Sequence, residues 1–394
     1  MRKPLKILFL STPVGPLGSG LGGGVELTVF NLSQALSTKG HQIDIAAPEG
    51  SSLPQSNRTT TLIQIPGKWQ PTAQTQDRLA PITVGSLLAN AWTYARERES
   101  AYDLLVNFAY DWLPFYLTPF LKTPVAHFVS MGSLNNALDE AIAQTAVQFP
   151  GTLGAYTRSQ VQTFPIPEHS WQILGSAIDI RQYDYCDHPD NFLAWIGRIS
   201  PEKGLEDAIT AAATANRPLK VFGKIEDASY WQSLQPLIHQ ATVSIEYGGF
   251  RSTSALQKAL GRSLALLVTP KWTEAFGMVA IEALACGVPV IAYARGGPAE
   301  IVRDGQTGWL VSPDDVTGLT DAIANLLDRI NRADCRYQAE CLYDLPVWSE
   351  RFEQWFFQIL SGHEPYDHVP FVTGSSAPVS SGTVVSDPAT DGID

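Results

Sequence analysis

The chain has 394 residues, with 27 Lys+Arg against 39 Asp+Glu and a formal net charge of −12. At 44% hydrophobic and 17% charged residues it is too apolar for a disordered chain, and at about 150 residues per domain it accommodates two or three cores. The acidic balance argues against nucleic acid and anionic membrane surfaces as partners, since both reward excess positive charge.

The N-terminal run Leu5–Leu10 reads as a buried first strand; it is too short for a signal segment and a Gly-rich stretch follows it. A helix over Val25–Ser37 and a strand over Gln42–Ala47 come next. Further strands are predicted at Thr60–Ile65, Asp103–Asn107, Pro124–Val129 and Leu153–Tyr156, with helices at Thr83–Glu99 and Asn135–Val147. A Pro- and charge-rich stretch near Asp179–Asp190 separates a second series. Its strands are Phe192–Ile196, Leu219–Phe222, Val243–Glu246, Leu264–Thr269 and Pro289–Tyr293. The intervening helices are Gly204–Ala215, Asp227–His239, Thr253–Gly261 and Phe276–Cys286, and Val316–Ile330 and Pro346–Leu360 close the series.

Strands alternating with helices build βαβ units and parallel sheets, so the fold class is α/β with two domains. Their expected extents are 1–180 and 181–345, followed by a helix over 346–361 and a Ser/Gly/Pro/Thr/Asp-rich, disordered tail over 362–394. No apolar run reaches the ~18 to 20 residues that span a bilayer. The four cysteines (Cys186, Cys286, Cys335, Cys341) show neither zinc-like nor C-x-x-C spacing. The expectation is a cytoplasmic protein with no stable membrane insertion.

In parallel α/β sheets ligands bind beyond the carboxyl ends of the strands, so the loops there carry the chemistry. The first, Ser11–Gly24, is Gly-rich and opens into a helix, which lets backbone approach a ligand and offers free N–H groups to an anion. Its glycines do not reproduce G-x-G-x-x-G in register, and no nicotinamide or flavin fingerprint is met. The second, Gly197–Gly204, places Arg198 and Lys203 around one turn, where both cations can address a single phosphate group. The third, Thr269–Pro289, sets Glu274 just before a helix whose core stripe is Phe276, Val279, Ala280, Ala283 and Leu284. Glu282 falls about 120–130° off that stripe at roughly 100° per residue, and is expected to face a ligand.

These stretches together resemble the family 4 retaining glycosyltransferases. The matches are Gly22-Gly23-Gly24-Val25-Glu26, Gly197–Gly204, Glu274-x7-Glu282 continuing to Ile291, Gly296-Gly297, Glu300-Ile301-Val302 and Asp304–Val311. The resemblance implies a GT-B fold, two facing Rossmann-like domains with parallel sheets and a C-terminal crossover helix. It implies a nucleotide sugar, UDP-glucose, as donor co-substrate, with no separate cofactor and no metal; the chain has no D-x-D triplet. Arg198 and Lys203 would hold the diphosphate, and Glu282 the ribose. Glu274 and the N–H groups of Phe276, Gly277 and Met278 would hold the transferred sugar. Gly23, Gly24 and Val279 complete the implied donor site, and Arg251, at the end of Tyr247–Arg251, lies on the base side. Front-face chemistry would then retain the anomeric configuration.

Two departures mark the match. Where family members carry a His-x-x-His-like segment, this chain has His127 and Ser130, and of the usual Asn-Gly-Val-Asp only Asp179 remains. His127 is open between facing the sugar and a structural position at a strand end. On the acceptor side the aromatic run Asn107–Tyr116 offers Tyr110 and Trp112, with Trp69 and Trp92 near in sequence; stacking on an acceptor and plain core packing both stand. The opening loop is similar to that of cyanobacterial glucosyltransferases that move glucose from UDP-glucose to tetrahydrobiopterin, which implies a soluble pteridine acceptor. A transferase acting on another sugar or a lipid, and a silent nucleotide-sugar-binding protein, remain alternatives.

Overall fold

The computed structural model describes residues 3–19, 23–53, 60–70, 83–325 and 329–362, which all fall within one compact unit. The predicted tail beyond Gly362 and residues 20–22 of the Gly-rich loop lie outside the described residues.

The first series runs β1 (Lys6–Leu10), α1 (Gly24–Thr38), β2 (Gln42–Pro48), β3 (Thr60–Ile65), α2 (Leu87–Arg98), β4 (Leu104–Asn107) and α3 (Trp112–Leu117). It continues through β5 (Val125–Val129), α4 (Asn136–Gln148), β6 (Leu153–Ala155), α5 (Arg158–Val161) and β7 (Trp171–Ile173). These strands form one parallel sheet in the order β3-β2-β1-β4-β5-β6-β7. Strands buried on both faces read as continuous apolar runs, and Ile7–Leu10 and Leu104–Val106 are almost wholly inaccessible.

The second series runs β8 (Leu193–Ile196), α6 (Leu205–Thr214), β9 (Leu219–Phe222), α7 (Ala228–Ser233), α8 (Gln235–Gln240), β10 (Ile245–Gly249) and α9 (Thr253–Gly261). Then come β11 (Leu266–Val268), α10 (Met278–Ala285), β12 (Val290–Tyr293), α11 (Gly297–Ile301), β13 (Gly308–Val311), α12 (Val316–Asn325) and α13 (Arg332–Leu342). The second sheet is also parallel, in the order β10-β9-β8-β11-β12-β13. One predicted helix over Asp227–His239 is two, because Pro236 in the first turn of α8 has no N–H to continue the ladder. Short elements escape the sequence, namely α3, α5, β7, α11 and β13, and so does the 11-residue helix α13, whose charged and polar residues blur its apolar stripe.

The last helix, α14 (Leu345–Gly362), returns to the first sheet. Its Trp348 and Trp355 donate their indole N–H groups to Gly175 O (3.1 Å) and Gly151 O (2.7 Å), and Phe352 packs on Phe128 at 5.3 Å. The chain therefore makes two doubly wound α/β domains, the GT-B arrangement, with a helix that crosses back.

Candidate active site

Each sheet reverses its strand order once, between β1 and β4 and between β8 and β11. Connections leave such a point in opposite directions and open a crevice at the carboxyl ends of the strands. Arg198 and Lys203 follow β8 and Glu274 follows β11, so sheet topology gathers them at one switch point.

The β8 loop ends in a single tight turn, Pro201–Lys203, closed by Gly204 at φ +64°. A Cβ on Gly204 would lie 2.1 Å from the Thr269 carbonyl oxygen, so only glycine lets the turn lie against the β11 loop. Thr269 Oγ1 donates to Gly204 O at 2.8 Å and accepts from Trp195 Nε1 at 3.2 Å. Across this seam the Lys203 ammonium pairs with Glu274 Oε2, which also accepts from Trp272 Nε1 at 3.1 Å. Burial works to raise the Glu274 carboxyl, but Lys203, the Trp272 N–H and the Arg198 charge outweigh it and hold it below its ordinary value. Glu274 is therefore an ionised acceptor. Arg198 Nη2 meets Glu202 Oε1 at 3.2 Å, while Nη1 is buried with no hydrogen-bond partner among the described residues.

The Glu274 loop rests on glycines. A Cβ on Gly296 would lie 2.3 Å from Glu274 O, and one on Gly297 would lie 2.1 Å from Phe276 O. Gly297 N donates to Glu274 O at 2.7 Å. Phe276 is buried beneath the loop, and Gly277 (φ +93°) starts α10 without any side-chain cap, leaving Met278 and Val279 half-buried in its first turn. In the first domain Gly23 (φ +59°) starts α1, also without a side-chain cap. The two helix starts meet, since a Cβ on Gly24 would be 3.3 Å from Met278 Cγ. Each brings first-turn N–H groups and the positive end of a helix dipole, which suit an anion. The domains are tied close by, with Thr157 Oγ1 donating to Ala275 O (2.8 Å) and Glu300 accepting from Arg158 N (3.1 Å) and Ser159 N (2.6 Å).

The structure places the other predicted residues as follows. Glu282 does not stand free: it is 7% exposed, on a helix buried almost all round, and Tyr183 OH donates to its Oε1 at 2.8 Å. Burial pushes its carboxyl up to about 7 against the opposing Tyr183 bond. His127 is fully buried on β5, between Thr118 Oγ1 (2.9 Å from Nε2) and Asn107 Nδ2 (3.3 Å from Nδ1), and stacks on Phe115 at 4.4 Å. Burial pulls it down to about 3, so it is a neutral core histidine and reaches no open site. Ser130 is buried beside it in the chain. Tyr110 is half-buried with its hydroxyl accepting from Leu134 N at 3.0 Å. Trp112 is 46% exposed and stacks on exposed Tyr116 at 4.4 Å, whereas Trp92 is core. Arg251 is exposed at the end of β10, its Nε donating to Gly248 O at 3.0 Å and its guanidinium 5.9 Å from the Phe222 ring. Tyr247 beside it is exposed and packs on Trp231 at 5.1 Å. Sequence reasoning missed Tyr183, whose signal was only an aromatic in the linker, and Trp272, whose indole N–H reaches Glu274 within the third loop.

Residues 180–340 match the family model "Glycosyl transferases group 1". A glycogen synthase of Mycobacterium tuberculosis (strain CDC 1551 / Oshkosh) is 25% identical over 375 residues, 85% of this chain and 89% of that protein. A D-inositol 3-phosphate glycosyltransferase of Mycobacterium bovis (strain BCG / Pasteur 1173P2) is 36% identical over 142 residues, 35% of this chain and 30% of that one. Among solved structures, Anabaena HepE in complex with UDP and glucose superposes with a TM-score of 0.70 at 17% identity, covering 90% of this chain and all of that one. Sucrose-phosphate synthase from Thermosynechococcus elongatus gives 0.70 at 18%, with 91% and 100% covered. The fold is that of the GT-B glycosyltransferases.

Proposed function

We propose that this chain, whose residues 180–340 make a group 1 glycosyltransferase domain, moves glucose from UDP-glucose to a small soluble acceptor with retention of configuration. The observation that carries the reading is Arg198 Nη1, buried with no hydrogen-bond partner among the described residues, on a side chain whose charge acts on Glu274, the partner of Lys203. A buried donor left unpaired costs roughly 1–3 kcal/mol, and in this reading a diphosphate oxygen removes that cost.

In this reading Arg198 and Lys203 take the diphosphate together with the N–H groups at Gly23, Gly24, Gly277 and Met278. Glu274, held ionised, accepts hydrogen bonds from sugar hydroxyls, and donor binding draws Lys203 from Glu274 toward phosphate. Arg251 with Tyr247 flanks the base, while Glu282 stays beneath Tyr183 and supports the start of α10 from inside. The acceptor hydroxyl bonds to the anomeric carbon as the bond to diphosphate oxygen breaks, on the same face, and its proton passes to the departing diphosphate. Two cations and two helix ends supply the electrostatic stabilisation of the leaving group, and no metal is required.

The acceptor is read as a reduced pterin, tetrahydrobiopterin. The exposed Trp112–Tyr116 stack on the first domain and the opening Gly-rich loop support it. The test is incubation with UDP-glucose and a reduced pterin, chelator present, followed by mass analysis. A hexose adduct with released UDP supports the reading. No adduct and no UDP release with any acceptor, sugars and lipids included, rejects an active transferase.

A further inference from the structure

Three residues before Glu274, Lys271 stands at the centre of a charged network. Its Nζ pairs with Asp207 of α6 and lies 3.1 Å from Asp314 Oδ1. Asp314 also takes Arg295, with Nη2 at 2.5 Å and Nη1 at 3.3 Å, and Nη1 returns to Pro270 O at 2.8 Å. Tyr293 OH donates to Asp207 Oδ2 at 2.5 Å. Three other connections of the second sheet, those after β8, β12 and β13, thus converge on residues 270 and 271 after β11.

The same lysine touches the turn that carries Lys203. Its N–H donates to Glu202 O at 2.9 Å, and a Cβ on Gly204 would lie 3.3 Å from Lys271 Cγ and Cε. Asp314 holds φ +66°, a left-handed conformation that is rare for a residue with a side chain. Such a conformation persists where surrounding contacts over-determine it, and here the contacts are Lys271 and Arg295.

We propose that Lys271 is a positioning residue: with Asp207, Asp314 and Arg295 it locks the Pro270–Glu274 loop to the Pro201–Gly204 turn and so holds Lys203 where a donor diphosphate meets it. The role rests on the diphosphate reading above. Lys271 itself touches no substrate; it acts through the geometry of Lys203 and Glu274.

The test is calorimetric titration of the full chain with UDP and with uridine, for wild type, Lys203→Ala, Lys271→Met, the double variant and Lys271→Arg. Each single loss should raise the UDP Kd about tenfold with uridine binding unchanged, and the double variant should match Lys203→Ala to within about threefold. Lys271→Arg should recover most of the affinity. Equal weakening of uridine and UDP by Lys271→Met, wild-type UDP affinity in that variant, or multiplication to about 100-fold in the double variant would overturn the proposal while leaving the diphosphate reading intact. Wild-type UDP affinity in Lys203→Ala would instead remove that reading and the proposal with it. Asp314→Asn, at the half-exposed end of the network, gives the same comparison should Lys271→Met not fold.

Discussion

Replacing Arg198 by methionine separates function from stability with unusual clarity. The native side chain holds one ion pair, to Glu202 at 3.2 Å, and one buried nitrogen with no partner among the described residues. A partly exposed pair of this kind is worth about 0.2–1 kcal/mol, while an unpaired buried donor costs roughly 1–3 kcal/mol. Methionine fills similar volume and removes both contributions, so the unliganded protein should be as stable as wild type or more so. A Tm within about 2 °C of wild type or above it is expected by scanning calorimetry. With donor bound, the same change removes a charge-assisted hydrogen bond to phosphate worth about 1.5–3 kcal/mol. At about 1.36 kcal/mol per tenfold, kcat/KM for UDP-glucose should fall roughly 10- to 160-fold. A variant with a clearly lowered Tm and undiminished kcat/KM would refute the reasoning, because Arg198 would then be a structural group.

The remaining predictions concern Glu282, His127 and Trp112. Glu282 holds its proton more tightly folded, at about 7, than at its ordinary value of 4.5. The folded state therefore binds more protons between those values, and stability falls as pH rises through 7. Glu282→Gln should raise Tm relative to wild type at pH 8.5, by up to about 3 kcal/mol of stability at about 1.36 kcal/mol per pH unit, with the gap closing toward pH 4.5. His127→Ala should destabilise by about 1–3 kcal/mol in urea titration, since it removes two buried hydrogen bonds, to Thr118 and Asn107, and the ring that stacks on Phe115, with UDP affinity unchanged. Trp112→Ala should leave stability within about 0.5 kcal/mol and raise the KM for a reduced pterin without altering that for UDP-glucose.

The fold was legible because parallel strands buried on both faces leave uninterrupted apolar runs. The strand Leu219–Phe222 was placed with the bounds the structure gives it, and so were the edge strand Thr60–Ile65 and the helix Thr253–Gly261, which alternation between strand and helix periods marks out. What stayed hidden were elements of three to five residues such as β7 and α11, too short to establish a period, and the break at Pro236, which the helical pattern of Asp227–His239 ran through. At the site, Arg198, Lys203 and Glu274 were legible because each follows a strand at the sheet's switch point, where loops must converge. Glu282 was misjudged for a definable reason. Angular position on a helix reports the side away from one core stripe, but α10 also packs on α13 and under Tyr183, so its far side is buried too. His127 shows the converse. A histidine at a strand end resembling a sugar contact is held by Thr118 and Asn107 inside the core, and that pairing crosses 9 and 20 residues of sequence that no local pattern connects.

The central claim is that Arg198 and Lys203 form a diphosphate site, and titrating the full-length protein with UDP and with uridine in the presence of chelator tests it most directly. UDP should bind at least tenfold tighter than uridine, and Arg198→Met should remove most of that difference. Equal affinity for UDP and uridine, or a difference untouched by Arg198→Met, would contradict it.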